Sequence, residues 1–170
     1  MAFTLYSHAV SLRDLGCTQS PMNAWITLNG VETLPLRMER HVENAQKVAG
    51  FLQQHPSVEW VSYAGLSSSP YYQLAQKYLQ GKAGSVFTFG IRGGYESGLR
   101  LLEKVELFSH VSNIGDSRSL ILHPASTTHR QLSDEQRLTA GAGPEVIRLS
   151  VGIESAEDLI ADLEQALEGL

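Results

Sequence analysis

The sequence predicts an α/β fold, on three observations. From about residue 57, short apolar runs of strand type alternate with amphipathic runs of helix type. Turn and capping residues separate the two kinds of run. The chain of 170 residues is 42% hydrophobic and 18% charged, which is typical of a globular domain. We expect a helical segment over residues 1–56, followed by a compact α/β domain over residues 57–170.

Two helices are predicted in the first part of the chain. Ser20 is a capping residue followed by Pro21 in the first turn, and this helix is expected to run to about Leu28. Thr33 is expected to cap a second helix. That helix should end near Gln54, because the next residue precedes a proline and resists helical geometry. Residues 1–19 show no strong pattern, and we expect them to belong to a piece of a longer chain.

The α/β part contains five predicted strands and four predicted helices. The strands lie at 58–63, 86–91, 107–114, 119–123 and within 144–155, and the helices at 71–79, 96–105, 134–141 and 156–167. Ser133 and Gln136 form a capping-box pattern before the third of these helices. Ser155 and Asp158 open the last helix, whose expected inward face is Leu159, Leu163, Ala166 and Leu167.

Composition argues against several classes of protein. The net charge of −5 and the absence of a basic cluster do not fit a nucleic-acid-binding protein. No run approaches the roughly 20 apolar residues that cross a bilayer, and the first residues lack the basic region of a signal peptide. The single cysteine, Cys17, excludes an internal disulfide and is typical of a reducing compartment. We therefore expect a cytoplasmic protein with no nucleic-acid or membrane partner.

The segment PEVIRLSVGIES, residues 144–155, is a predicted strand with an arginine in its middle. Alternation puts Ile147, Leu149, Val151 and Ile153 on a core face, and Arg148 opposite them among small residues. A buried arginine costs free energy unless it is paired. Two interpretations remain open for Arg148. It forms a salt bridge with an acid of its own chain, or it binds the carboxylate of a small ligand bidentately.

The segment SNIGDSRSL, residues 112–120, also allows two interpretations. Its polar side chains surround a predicted turn at Gly115 and Asp116, where they can bond to local amides. Alternatively, Asn113 donates a hydrogen bond to a ligand oxygen.

Other constellations fit no known chemistry. His123 and His129 have no acid or thiol that would complete a metal site. Asp116, Ser119 and His123 lack the nucleophile elbow and oxyanion hole of a catalytic triad. The glycines at 90–98 do not form a dinucleotide fingerprint. The residues alone therefore indicate an α/β domain with a candidate anion site and no predicted metal site.

Three long motifs resemble the O-acetylhomoserine sulfhydrylases, which are pyridoxal-phosphate-dependent enzymes of the cystathionine-γ-synthase-like family. They are SPMNAWITLNGVETLPLRMERHVENAQKVAGFLQQHPSVEWVSYAGL at 20–66, NIGDSRSLILHPASTTH at 113–129 and VIRLSVGIESAEDLIADLEQAL at 146–167. The resemblance implies the aspartate-aminotransferase-like fold, fold type I. It likens residues 1–56 to the end of the large, cofactor-binding domain. Residues 57–170 resemble the small C-terminal domain, a mixed sheet covered by helices.

The resemblance also implies site residues. Arg148 matches the family arginine that binds the substrate's α-carboxylate, and Asn113 matches a residue that helps to hold the same group. Thr128 and Ser119 are expected near the mouth of the active site. The family's cofactor, pyridoxal 5′-phosphate, is bound covalently by a lysine that follows a serine or threonine. None of the four lysines of this chain has that neighbour, so we expect no catalytic or cofactor-binding residue here.

The function implied by the resemblance is that of the C-terminal portion of an O-acetylhomoserine sulfhydrylase. Such an enzyme replaces the acetate of its substrate with sulfide and yields homocysteine, in methionine and cysteine metabolism and trans-sulfuration. The expected partners are the amino-acid substrate, the pyridoxal-phosphate-binding domain of the parent chain and further copies in a homo-oligomer. The family is a class of transferases, and this chain alone is expected to be inactive. The alternative is a stand-alone, non-catalytic module for amino-acid binding or oligomerisation.

Overall fold

The structure is a computed structural model that describes all residues, Met1–Leu170. It contains two compact units, Met1–Pro35 and Leu36–Leu170. The division falls earlier than the boundary expected after residue 56. The reason is helix α4, Leu34–Gln54, whose side chains Ala45, Val48, Ala49 and Leu52 are buried in the core of the larger unit.

The smaller unit is helical. Helix α1, Ala2–Tyr6, continues through a π-helical stretch, Ser7–Leu12, into helix α2, Arg13–Leu15. Gly16 then ends the run in the left-handed conformation, with φ of 63°. The lack of a pattern in residues 1–19 therefore did not reveal a helix. No residue of this unit is buried.

Helix α3, Pro21–Glu32, completes the smaller unit. The hydroxyl of Ser20 accepts a hydrogen bond from the amide of Asn23 at 3.2 Å, which confirms the predicted cap. The helix passes through Gly30 and ends later than predicted. Thr33 donates its hydroxyl back to the carbonyl of Asn29 at 3.2 Å, at the end of this helix.

The larger unit contains a five-stranded sheet and the remaining helices. The strands are β1 Val58–Ser62, β2 Val86–Ile91, β3 Ser109–His110, β4 Leu120–Leu122 and β5 Val146–Ser150. The helices after α4 are α5 Tyr72–Leu79, α6 Gly94–Lys104, α7 Asp134–Thr139 and α8 Ala156–Leu167, with a 3₁₀ helix at Pro124–Ser126. This mixture confirms the predicted α/β class.

The sheet has the strand order β1-β2-β5-β4-β3. Strand β5 lies in its centre and pairs antiparallel with both β2 and β4, whereas β3 pairs parallel with β4. Arg148 of β5 is directly opposite Thr88 on one side and Leu122 on the other. Directly paired residues project to the same face of a sheet, so these three side chains share one face.

The opposite face of the sheet is the core. Ile147 and Leu149 of β5 are fully buried there, as the alternation predicted. The four side chains expected on the inner face of α8, which are Leu159, Leu163, Ala166 and Leu167, are fully buried as well. At roughly 25 cal/mol per Å² of apolar surface, each large side chain of this kind contributes about 1.5–3 kcal/mol relative to an exposed one.

The predicted strand at 107–114 is wrong for most of its length, because only Ser109–His110 is strand. The carboxylate of Asp162, on α8, accepts hydrogen bonds from the amides of Glu106, Leu107 and Phe108, at 2.8, 2.9 and 3.2 Å. Those amides are therefore not available to a neighbouring strand. None of the helices combines the length with the apolar character that a membrane span requires.

Candidate functional site

Arg148 is a half-buried cation at the centre of the sheet, with few contacts of its own. Its Nη1 donates to the hydroxyl of Ser112 at 3.5 Å, the outer limit of a hydrogen bond. None of the ion pairs of the chain, each with a nitrogen–oxygen distance of up to 4.0 Å, includes Arg148. The interpretation of Arg148 as half of an internal salt bridge is therefore wrong.

A cleft of about 540 Å³ opens beside this guanidinium. Its lining residues are His110, Val111, Ser112, Leu122, Ser126, Thr127, Thr128 and Arg130. Arg148 reaches the edge of the cleft in two ways, through its contact with Ser112 and through its direct pairing with Leu122. The lining contains one arginine, one histidine, hydroxyls and apolar groups but no carboxylate, so an anionic ligand meets no repulsive charge among these residues.

Asn113 lies next to the cleft residue Ser112 and is exposed. Its Oδ1 accepts from the amide of Ile114 at 2.9 Å, which is the turn interpretation. The Nδ2 group of Asn113 makes no hydrogen bond within the chain, so it remains able to donate to a ligand. The two interpretations of this residue are compatible, because each uses a different atom of the amide.

The same loop is closed by Asp116. Its Oδ1 accepts from the amide of Arg118 at 3.0 Å and from the Nε of Arg118 at 3.4 Å. These hydrogen bonds, first from the amide and then from the side chain of Arg118, lower the pKa of Asp116 below its usual value. Gly115 has φ of 75°, a conformation that favours glycine. Asp116 therefore has a structural role in the turn.

Ser119 lies inside the protein and not at the mouth of a site, so that expectation is corrected. Its side chain is fully buried. The hydroxyl donates to Oε2 of Glu154 at 2.9 Å and accepts from the amide of Gly152 at 2.7 Å. The amide of Ser119 donates to the other oxygen of Glu154 at 2.7 Å. Ser119 thus binds the segment that follows β5 through both its hydroxyl and its backbone amide.

Thr128 is exposed and lines the cleft. Its hydroxyl lies 2.8 Å from Nδ1 of His129. The segment before it is fixed by Thr127, which donates its hydroxyl to the carbonyl of His123 at 2.7 Å. The location of Thr128 is therefore consistent with the sequence expectation, although its role stays a prediction.

His123 is a buried histidine that supports this wall of the cleft. Its Nε2 lies 2.9 Å from the carbonyl of Pro144, and its Nδ1 lies 3.0 Å from the hydroxyl of Ser126. Because a carbonyl can only accept, we place the proton of the neutral ring on Nε2. Burial lowers the pKa of His123 below its usual value. Since both ring nitrogens have partners, His123 is a structural residue.

Sequence reasoning predicted only Thr128 among the polar residues of the cleft and missed the other five, which are His110, Ser112, Ser126, Thr127 and Arg130. Ser112 and His110 lie on the chain around β3, and Arg130 follows the segment that contains Thr128. Their proximity in sequence to Asn113 and Thr128 was a usable signal. Their convergence on one cleft could not be predicted from the sequence, because it depends on the parallel pairing of β3 with β4.

The lysines of the chain do not fit a covalent cofactor site at this cleft. Lys82 pairs with Glu39 at 3.0 Å, and Lys47 pairs with Glu43 at 3.2 Å. Lys104 donates to the carbonyl of Glu168 at 2.6 Å, and Lys77 lies over the ring of Tyr78. No lysine is among the lining residues.

Comparison with known proteins gives a consistent result. Residues 3–168 match the model of the family described as Cys/Met metabolism PLP-dependent enzyme. The chain is 50% identical to O-acetyl-L-homoserine sulfhydrylase 1 of Thermus thermophilus, over 98% of this chain and 40% of that protein. It is 52% identical to O-acetyl-L-homoserine sulfhydrylase of Leptospira meyeri, over 100% of this chain and 39% of that protein.

A solved structure is similar throughout the chain. It is a Campylobacter jejuni protein assigned as an O-acetylhomoserine (thiol)-lyase, which contains N′-pyridoxyl-lysine-5′-monophosphate. The two share 46% identity with a TM-score of 0.89, over 99% of this chain and 40% of that chain. The present chain thus spans about 40% of the length of the relatives that it matches.

Proposed function

This chain belongs to the Cys/Met metabolism PLP-dependent enzymes, and we propose that it forms the carboxylate-binding side of an O-acetylhomoserine sulfhydrylase active site. The resemblance drawn from the three motifs is confirmed by the family match and by the identity to curated sulfhydrylases. In the proposed reaction, sulfide replaces the acetate of O-acetyl-L-homoserine to give homocysteine. That activity belongs to methionine biosynthesis.

One observation carries the proposal, namely that the half-buried residue Arg148 has no carboxylate partner for its guanidinium, which lies at the edge of a cleft. A guanidinium in this condition is stabilised by an incoming carboxylate, which it can bind through two parallel N–H groups. Central strand β5 holds the Arg148 backbone between β2 and β4. A bound amino acid would therefore be fixed in orientation as well as in position.

Asn113 and Thr128 are the proposed secondary contacts. The unused Nδ2 of Asn113 can donate to the second oxygen of the same carboxylate. The exposed hydroxyl of Thr128 lines the cleft and can contact the rest of the ligand. Ser119 is left out of the proposed site, because its hydroxyl is buried and already bonded to Glu154.

Pyridoxal phosphate supplies the electron-withdrawing chemistry of this family when it is bound. The lysines of this chain are engaged elsewhere and none lines the cleft, which supports our proposal that the covalent bond to the cofactor is not made by these residues. We propose that the chain recognises substrate but does not catalyse the reaction alone. Its partner would be the pyridoxal-phosphate-binding domain of the same enzyme.

The proposal is tested by titrating the chain with O-acetyl-L-homoserine and following ¹H–¹⁵N NMR shifts. Binding should shift the amides of Ser112, Asn113 and Thr128 in a saturable manner. Replacement of Arg148 by glutamine should abolish the shifts, whereas Arg100→Gln, which removes the same charge from α6, should preserve them. Equal binding by the Arg148→Gln variant would contradict the proposal.

A non-catalytic module for oligomerisation is a second candidate function. The observation that favours it is the helical unit Met1–Pro35, which has no buried residue and exposes Trp25 at 61% and Leu28 at 62%. Addition of pyridoxal phosphate distinguishes a cofactor-binding chain from both candidates. Visible absorbance that stays bound to the protein through gel filtration, and that is lost on replacement of one particular lysine, would show a cofactor lysine in this chain and would contradict both.

We further propose a cytoplasmic location, since the one cysteine is an exposed free thiol.

A further inference from the structure

Two buried polar side chains of helix α4, His41 and Asn44, bind the segment that leaves strand β5. Nδ1 of His41 lies 2.6 Å from the carbonyl oxygen of Val151. Nδ2 of Asn44 donates to the carbonyl oxygens of Gly152 at 3.0 Å and Glu154 at 2.8 Å. Because a carbonyl can only accept, we place a proton on Nδ1 of His41. Both side chains therefore act as donors toward this segment.

Polar side chains are a costly choice at these two positions. Nε2 of His41 and Oδ1 of Asn44 are also enclosed, and neither makes a hydrogen bond within the chain. Burial of such an atom costs free energy that an apolar side chain of similar size avoids. The apolar contribution of α4 to the core comes from other residues, which are Ala45, Val48, Ala49 and Leu52. What explains His41 and Asn44 is therefore the segment that they hold.

Two consecutive peptide groups join α4 to the chain that precedes β4. The first consists of the carbonyl of Val151 and the amide of Gly152. Its carbonyl accepts from His41 at 2.6 Å, and its amide donates to Oγ of Ser119 at 2.7 Å. A trans peptide group is planar and rigid, and its carbonyl and amide point in opposite directions. One rigid group is thus bound to α4 on one side and to Ser119 on the other.

The second peptide group, between Gly152 and Ile153, repeats this arrangement. Its carbonyl accepts from Asn44 at 3.0 Å, and its amide donates to the carbonyl of Ser117 at 2.9 Å. Hydrogen bonds connected in this way polarise and strengthen one another. A displacement of α4 would therefore be passed on to the chain before β4. We call these two peptide groups the α4 relay, together with their partners His41, Asn44, Ser117 and Ser119.

The relay ends in the part of the chain that carries the candidate site. The carbonyl of Ser119 accepts from the amide of Ser109, the first residue of β3, at 2.9 Å. Ser112 and Asn113 lie in the loop between these two residues, and the hydroxyl of Ser112 accepts from Arg148 at 3.5 Å. The relay therefore holds the loop that contacts the guanidinium.

We propose that His41 and Asn44 are positioning residues for carboxylate binding. They fix the loop through the relay and so set where Ser112 and Asn113 lie beside Arg148. This role rests on the proposed function, in which Arg148 binds the α-carboxylate of an amino acid. Neither His41 nor Asn44 is among the residues that line the cleft, so both act through the relay and not by contact with the ligand.

Leucine variants test this role on the complete chain. His41→Leu and Asn44→Leu remove the donors and keep side chains of similar size. The ligand is L-norvaline, an unreactive amino acid with one carboxylate, and its affinity is measured by NMR titration. Binding should be roughly two- to thirtyfold weaker in each variant, the range usual for coupling between connected sites. His41→Asn should restore most of the affinity, because the asparagine Nδ2 can donate from the place of Nδ1.

Val48→Ala separates positioning from stability. Val48 is fully buried on the same helix and belongs to the apolar core. Its truncation destabilises the chain through lost packing and leaves both donors of the relay in place. The folded variant should bind L-norvaline as the wild type does. Equal weakening in Val48→Ala and in the leucine variants would overturn the inference, because the loss of affinity would then follow stability.

A measurement on the wild type decides the matter even if the leucine variants do not fold. Coupling between two sites is reciprocal, so L-norvaline should shift the Nδ1–H resonance of His41 with the same saturation curve as the amide of Asn113. A His41 resonance that stays unchanged at saturation would overturn the inference, while carboxylate binding by Arg148 stands. Leucine variants that bind as the wild type does would overturn it too. If the wild type does not bind L-norvaline at all, the proposed function fails and this inference fails with it.

Discussion

The buried hydroxyl of Ser119 donates to the carboxylate of Glu154 at 2.9 Å and accepts from the amide of Gly152 at 2.7 Å. This network joins the residue before β4 to the segment that leaves β5. The approach is close, because a Cβ on Gly152 would lie 2.4 Å from the carbonyl oxygen of Ser117. The strand that carries Arg148 is thereby held at its end by side chains remote in sequence.

We expect Ser119→Ala to destabilise the chain. The change leaves the Gly152 amide without its acceptor and removes a hydrogen bond to a charged group, which together cost about 1–3 kcal/mol. Urea unfolding followed by circular dichroism measures the loss. The control is Ser117→Ala, since Ser117 is exposed and is held only through its backbone carbonyl. Equal stability of the two variants would show that the network does not stabilise the fold.

Asp162 is a second buried anchor, with a side chain that accepts from three consecutive amides. Asp162→Ala should cost about 2–4 kcal/mol of unfolding free energy, because three donors lose their acceptor at once. Glu164→Ala, at an exposed position of the same helix, should change it by less than about 0.5 kcal/mol. Amide hydrogen exchange of Glu106–Phe108 should accelerate only in the Asp162 variant. Unchanged protection there would refute the assignment.

The pH dependence of stability should include a contribution from His123. Burial lowers the pKa of His123 in the folded chain below the usual value of 6.5. The unfolded chain therefore binds a proton more readily, and the folded chain loses stability as pH falls below about 6.5. Unfolding free energies measured at pH 7.5 and at pH 5.5 should differ more in the wild type than in His123→Gln. Glutamine does not titrate and can still donate to the carbonyl of Pro144.

A steeper or equal pH dependence in His123→Gln would contradict this assignment. The lowered pKa values of Asp116 and Glu157 place the titration of these two carboxylates in a more acidic range, outside this comparison. Because His123 supports Ser126 in the wall of the cleft, ligand shifts recorded at both pH values provide an independent check.

The helical unit Met1–Pro35 should promote self-association. It exposes a set of large apolar side chains, which are Phe3, Leu5, Tyr6, Leu12, Leu15, Met22, Trp25, Ile26, Leu28 and Val31. Extended apolar surfaces of this kind favour contact with another chain. Analytical ultracentrifugation should show a mass that increases with concentration, and Trp25→Ser with Ile26→Ser should reduce the increase. A chain that stays monomeric at every concentration would contradict the prediction.

Local chemistry explains why much of the fold was predictable. The capping box of Ser133 and Gln136 involves residues three apart, and the structure contains both of its hydrogen bonds. The cap of α8 by Ser155 and the core face of β5 also depend on residues that are close together in the sequence. The extent of β3 was not predictable, because the amides of Leu107 and Phe108, at the start of the predicted strand, are bound by the carboxylate of Asp162, which is remote in sequence.

The site was predictable only in part for the same reason. Arg148 stands out in the sequence as a cation in an apolar strand, whereas the absence of an acidic partner is a tertiary property. Ser119 was misplaced because alternation cannot reveal that Glu154 folds back onto it. Arg130 was missed because nothing local distinguishes an arginine without a partner from one that has an acid nearby.

Recognition of a carboxylate by Arg148 is tested most directly by comparing L-norvaline with its amide, which has the same shape without the negative charge. In the wild-type chain the acid should bind at least about tenfold more tightly than the amide, the ratio expected for a charge-assisted bidentate pair. In Arg148→Gln the ratio should fall to about one. A ratio near one in the wild type, or an unchanged ratio in the variant, would show that Arg148 does not bind the carboxylate.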